Sequence, residues 1–169
     1  QAFQCVIVSG LAYGIDISAH KSAVKNQLPT VGVMGNGFDN IYPSLHKATA
    51  KKMTEQGGLL TEYTRDMIPD RNNFPARNRI VAALSDALVV VESAEEGGSM
   101  ITAHLAAGYH RSVFAVPGKL NDTQSKGCLQ LIKNNVAQMY YDPTHFLECM
   151  QWELPLSIKA ITSPPLTLL

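Results

Sequence analysis

An α/β fold, with a mostly parallel sheet and helices on both faces, is what this sequence predicts. Short, nearly continuous apolar runs recur along the chain, the pattern of strands buried on both faces of a parallel sheet. Stretches of helical composition separate most of them. Glycine, serine and charged residues gather just after the runs, and in folds of this class ligands sit beyond the carboxyl ends of the strands.

The first strand, over 5–9, passes through Ser9-Gly10-Leu11-Ala12-Tyr13-Gly14-Ile15-Asp16 into a helix over 15–26. Its two glycines suit a tight turn, and the loop either presents backbone N–H groups to an anion or is simply capped by Asp16. The second strand, over 30–34, leads into Gly35-Asn36-Gly37, which lacks the third glycine of a dinucleotide fingerprint. Tyr42-Pro43-Ser44 opens a helix over 44–56, because proline is tolerated in a first turn. A strand over 58–62 ends in Glu62, and Phe74-Pro75-Ala76-Arg77-Asn78-Arg79-Ile80 brings two arginines and an aromatic to a helix over 75–84.

The strand over 87–92 ends in Glu92 and is followed by Gly97-Gly98-Ser99 and a helix over 99–109. Paired glycines let a backbone approach a ligand, Ser99 suits an N-cap, and the free N–H groups of a first helical turn attract anions. The alternative is a turn and a cap with no ligand. Strands over 112–116 and 137–141 complete the set, with a helix over 123–134 that carries Lys126 between them.

A chain of 169 residues with 46% hydrophobic content supports one substantial core, read here as a domain over 1–150. Residues 151–169, with Leu154-Pro155 and Ser163-Pro164-Pro165, read as a linker or tail toward a further module. The opening without Met, close to an apolar strand, reads as a start in mid-domain. Lys plus Arg equals Asp plus Glu at 14 each, so there is no global field for a polyanion or a membrane surface, and any anion site is local. No apolar run approaches the roughly twenty residues of a membrane span, which points to a soluble, cytoplasmic protein with no membrane partner.

Cys5, Cys128 and Cys149 are widely spaced and read as reduced thiols. The five histidines form no H-E-x-x-H and no Cys/His ladder, so no metal is expected, and His20 and His104 read as packed or capping groups. There is no G-x-S-x-G elbow, no Walker A motif and no nucleophile context around Cys128, so these motifs offer no nucleophile, and no cofactor is expected. Glu62 and Glu92 form an acid–base pair or, as is commoner for such residues, orient arginines and loop N–H groups.

Taken in order, Ser9-Gly10-Leu11-Ala12-Tyr13-Gly14-Ile15-Asp16 with His20, Gly35-Asn36-Gly37, Tyr42-Pro43, Glu62, Phe74-Pro75-Ala76-Arg77-Asn78-Arg79-Ile80, Glu92, Gly98-Ser99-Met100-Ile101-Thr102-Ala103, Val116-Pro117-Gly118 and Lys126-Gly127 resemble the bacterial DNA-processing family called DprA or Smf. The match runs over residues 6–137 with family-like spacing. It implies a Rossmann-like domain that binds single-stranded DNA in natural transformation, protects it and loads RecA onto it, as a homodimer and without catalysis.

Carried over by position, Arg71 and Phe74 become the basic and aromatic pair that contacts DNA, an aromatic there stacking an unpaired base. Arg77, beside Asn78, becomes a phosphate ligand or a strut for the loop. Ser9, Gly10, Gly97, Gly98 and Ser99 become backbone and hydroxyl contacts to phosphate, with Lys126 as an addition and Glu62, Glu92 and Thr102 in support.

Two departures stand out. Tyr13 occupies a loop position where the family usually has Arg or another polar residue, so a stacking surface replaces a cation there. The family's Gly-Ser-Arg motif, on a strand before Val6, is missing, and with it the family's first strand and helix. That strand belongs near the middle of the sheet.

The rival reading is a nucleoside-monophosphate phosphoribohydrolase, whose signature is P-G-G-x-G-T-x-x-E. Here Glu96-Gly97-Gly98-Ser99-Met100-Ile101-Thr102-Ala103 has no Glu three residues past Thr102. A small-nucleotide carrier is a third reading, and it predicts binding that ignores strand length.

Overall fold

The computed structural model describes residues 5–152. Six strands form: β1 (Ile7–Ser9), β2 (Thr30–Val33), β3 (Gly58–Leu60), β4 (Ala87–Val90), β5 (Ser112–Ala115) and β6 (Gln138–Met139). The helices are α1 (Ile15–Lys25), α2 (Lys47–Met53), α3 (Asn73–Leu84), α4 (Gly98–Gly108), α5 (Lys126–Lys133) and α6 (Pro143–Cys149). All six predicted strands are present in shortened form, and every pairing is parallel. Parallel neighbours need a crossover connection, which the intervening helices supply.

The helix expected over 44–56 is broken, with a 3-10 turn at Ser44–His46 ahead of α2. The sequence reading passed over α6. Its signal is present, because the Asp142 side chain accepts the His145 N–H at 2.9 Å and Pro143 stands in the first turn. The reading of residues 151–169 as a linker falls almost wholly outside the described residues.

One sheet was expected and two are found, in the orders β1-β2-β3 and β4-β5-β6. Ile7 donates to the Pro29 carbonyl at 3.0 Å on the β2 side, so strand alternation turns the N–H and C=O of Val8 away from β2. In the other half, Val90 accepts from Val116 on the β5 side, which turns the polar backbone groups of Val89 away from β5. Both edges, unpartnered among the described residues, line the same cleft. The place where the family resemblance expects a further strand is therefore an open gap between two half-sheets.

Each half has its own core. Val90, Val113, Ala115, Ala103, Cys128 and Leu131 pack beneath β4 and β5, while Leu11, Met34 and Met53 pack beneath β1 and β2. Helix α3 joins the halves, lying along α4 and also touching β1 and β2. The chain segments after β1, β2 and β4 all emerge beside α3, which positions the site.

Candidate nucleic-acid interface

The gap between the half-sheets is a cleft of about 1490 Å³. Pockets for small molecules run to about 300–1,000 Å³, so this space suits something larger. Ser9, Gly10, Arg71, Phe74, Arg77, Asn78, Glu92, Gly98, Ser99 and Thr102 all line it. Residues scattered over ninety positions of sequence thus share one cavity, while Gly97 lies outside its lining.

Arg77 lies at the base of the cleft and is only 5% exposed. Its guanidinium donates to the Val33 carbonyl, where β2 ends, and its Nε donates to Oδ1 of Asn78 at 3.2 Å. Asn78 in turn donates to the Gly98 carbonyl at the start of α4, also at 3.2 Å. Burial pulls the pKa of Arg77 below its ordinary value, against the favourable field of Asp16. Of the two roles open to Arg77 on sequence, this geometry fits the strut.

The loop after β1 is built around that guanidinium. A Cβ on Gly10 would lie 2.5 Å from Oδ2 of Asp16 and 2.6 Å from a terminal nitrogen of Arg77, so only glycine leaves room for both. Asp16 is not the cap. Gly14 holds the N-cap position, and the Asp16 carboxylate accepts the Ser9 hydroxyl at 2.8 Å and the Ala12 N–H at 3.3 Å. A carboxylate in a first helical turn is also favoured by the helix dipole.

His20 is fully buried behind the loop, with Nδ1 at 2.7 Å from Oγ1 of Thr30 and Nε2 against the Gly10 carbonyl. Burial is the leading cause of its lowered pKa, so the ring is neutral at neutral pH. A carbonyl can only accept, which assigns the proton to Nε2. His20 is a packed group, as expected, whereas His104 is exposed on α4.

At the other edge, Gly97 has φ 156° and ψ 175°, a conformation essentially reserved for glycine. Gly97, and not Ser99, is the N-cap of α4. Ser99 lies inside the first turn, exposed, with its hydroxyl 2.8 Å from that of Ser93. Thr102 supports the turn by donating to the Gly98 carbonyl at 2.8 Å. Lys126 is exposed at the start of α5 and outside the cleft lining, but its neighbour Gly127 donates to the Ser93 carbonyl at 2.9 Å. That contact fixes the start of α5 beside the α4 turn.

The two carboxylates do not form a pair. Glu62 accepts from Arg79, in the orienting role expected of it, and does not line the cleft. Glu92 lines the cleft, exposed, but makes no hydrogen bond or ion pair among the described residues, so the orienting role expected for it is not seen. Arg71 is exposed on the cleft and likewise makes no ion pair among the described residues. Phe74 is half-buried and stacked on Tyr42, with ring centroids 5.6 Å apart and planes at 28°.

Sequence reasoning had no role for Ser93, and treated Tyr42 as part of a helix start and of the family resemblance without assigning its side chain a role. No group of three potential metal ligands occurs among the described residues, and burial pushes the Cys128 thiol up, away from a reactive thiolate. The site offers an exposed cation, backbone N–H groups at a helix start, hydroxyls and stacked rings. Groups of these kinds can hold phosphates and bases.

Comparison with known proteins places the chain in a family. The family model for DNA recombination-mediator protein A matches residues 1–151. Protein Smf of Escherichia coli (strain K12) is 42% identical over 149 residues, covering 88% of this chain and 40% of that protein. DNA processing protein DprA of Bacillus subtilis (strain 168) is 41% identical over 135 residues, covering 80% of this chain and 46% of that protein. The chain therefore spans less than half the length of these relatives.

The X-ray structure of DNA processing protein A from Streptococcus pneumoniae superposes with a TM-score of 0.78 at 37% identity, covering 89% of this chain and 52% of that one. A structure of DNA processing protein A from Helicobacter pylori, described for its single-stranded DNA binding mode, gives a TM-score of 0.79 at 32% identity, with 89% and 67% covered. By its matched residues, its parallel α/β fold and the loops gathered at one cleft, the chain belongs to the DNA recombination-mediator protein A family, whose members include DprA and Smf.

Proposed function

We propose that this domain binds single-stranded DNA along the cleft between its half-sheets, without catalysing a reaction. The observation that carries the reading is Arg71, an exposed cation with no ion pair among the described residues, on the same large cleft as Phe74, whose ring stacks on Tyr42. The cation meets phosphate and the aromatic pair serves the bases, the combination used for unpaired strands. Ser9, Gly10, Asn78 and the Gly97-Gly98-Ser99 turn add backbone and polar contacts to phosphate, and Lys126 extends the path. Arg77 positions these loops from below, and Glu62 and Thr102 support them.

The same proposal covers the wider role suggested by the family. A strand seated in the cleft is shielded from nucleases and delivered to RecA during natural transformation, by a cytoplasmic homodimer. With so few cations at the site, affinity depends on several weak contacts in series and rises with strand length.

Fluorescence anisotropy with short and long oligo-dT, beside competition by mononucleotides, tests the reading. Tighter binding of longer strands supports it. Saturable, length-independent binding of a mononucleotide overturns it in favour of a small-ligand carrier, and steady release of adenine from AMP overturns it in favour of a hydrolase.

A further inference from the structure

A second concavity, a groove of about 600 Å³, shares no lining residue with the cleft. It is lined by α2, the turn before α2 and Leu59 of the edge strand β3. Ile41 and Leu59, both half-buried, also pack on the Leu11–Met34–Met53 core, so the groove opens onto the smaller of the two cores. That core has three buried apolar residues against ten beneath β4 and β5, among the described residues. Leu45, on the groove, is left 80% exposed. A large aliphatic side chain in water at the mouth of an apolar groove marks a docking surface.

The charge around the groove has one sign. Lys47 and Lys51 line it one helical turn apart, and Lys52 follows. All three are exposed, and none makes an ion pair among the described residues. No carboxylate lies in α2 or lines the groove, and Glu55 is the first to follow the helix. In a chain whose charges balance at 14 each, this is a local excess of cations. The lysine stems extend the apolar wall while their ammonium groups stay in water.

These features select the partner. The lining has no aromatic ring on which a nucleic-acid base could stack. Besides the lysines, its polar side chains are the hydroxyls of Ser44 and Thr54, and that of Thr54 already donates to the Lys51 carbonyl at 2.7 Å. A small ligand would need more convergent polar groups. An apolar floor with a cationic rim complements a segment that carries apolar anchors among carboxylates.

We infer that the groove docks an acidic, amphipathic segment of a partner protein, its apolar anchor seated on Ile41 and Leu59 beside Leu45 and its carboxylates facing Lys47 and Lys51. The site stands apart from the cleft and does not depend on the single-stranded DNA reading. Strand and partner can therefore be held at once.

The test titrates the isotopically labelled 169-residue chain with a short glutamate-rich peptide that carries two leucines one helical turn apart, followed by NMR and by anisotropy. The amide signals of Leu45, Lys47, Lys51 and Leu59 are expected to shift, and affinity to fall as salt is added. The double variant Lys47→Glu/Lys51→Glu is expected to bind this peptide about tenfold more weakly and to prefer its lysine-rich counterpart. Leu45→Asp is expected to lose the peptide. Circular dichroism and parent-like oligo-dT binding establish that both variants, changed only at exposed positions, keep the fold.

An absence of shifts at the groove overturns the inference, as does equal binding of a glutamate peptide without leucines or binding unaffected by the charge reversal. Weaker oligo-dT binding by Lys47→Glu/Lys51→Glu, with no peptide binding by the parent, overturns it in favour of a nucleic-acid contact. Self-association of the parent that Leu45→Asp abolishes overturns it in favour of a second copy of the chain. A parent that binds the peptide at the groove but no oligo-dT upholds the inference and overturns the DNA reading.

Discussion

Arg77 donates to Asn78 at 3.2 Å, and through that neighbour the end of β2 is tied to the first turn of α4. The two side chains act as a bracket across the gap between half-sheets whose strands are not bonded to each other. Removing Arg77 leaves the Val33 carbonyl without its charged donor and Asp16 without its buried countercharge. Arg77→Ala is expected to lower stability by about 2–5 kcal/mol, and Asn78→Ala by about 0.5–1.5 kcal/mol. Urea unfolding checks this, and the double variant should cost less than the sum, because the two bonds are in series.

Gly97 holds a backbone conformation that a side chain disfavours, with nothing near its missing Cβ, so the cost of substitution is conformational and not steric. Gly97→Ala is expected to cost about 1–3 kcal/mol and to loosen the α4 turn. Gly10→Ala acts by a different route, since the added methyl collides with Arg77 and Asp16. Thermal unfolding of both variants, each less stable than the parent, checks the assignment.

His20 sets a pH dependence whose sign follows from its burial. Its pKa in the fold is lowered from 6.5, so the folded state keeps the ring neutral while the unfolded chain takes up a proton as pH falls through that value. The stabilisation from this residue is complete above pH 6.5 and is lost progressively below it. Between about pH 7.5 and pH 5.5, the urea midpoint should fall further in the parent than in His20→Gln.

The open edges of β1 and β4 also predict a pattern of hydrogen exchange. The amides of Val8 and Val89 face the cleft and lack a ladder partner among the described residues, whereas Val31 and Gly32 lie in β2, paired on both sides. Amide exchange followed by NMR should find Val8 and Val89 much the faster pair. Equal protection of all four would contradict the divided sheet.

The alternation of strands and helices was legible because buried parallel strands read as short apolar runs, and Ala87–Val90 and Ser112–Ala115 were found almost where those runs lie. The residues of the cleft were also legible, since loops at strand ends converge in any parallel sheet. Arg77 was ambiguous, because a guanidinium that holds phosphate and one that holds a carbonyl use the same residue type, and only burial separates them. Ser99 was misread as a cap because the neighbouring Gly97 takes that position with a backbone angle that sequence does not display. The Tyr42–Phe74 stack joins positions thirty-two residues apart, and no local pattern announces such a contact.

Arg71 is the phosphate-binding cation proposed for the cleft. The most direct test is the salt dependence of oligo-dT affinity for the parent and for Arg71→Ala, measured by anisotropy. The variant is expected to bind more weakly and to show a log–log salt slope shallower by about 0.7, the share of one phosphate contact on a single strand. Unchanged affinity and an unchanged slope would contradict the account.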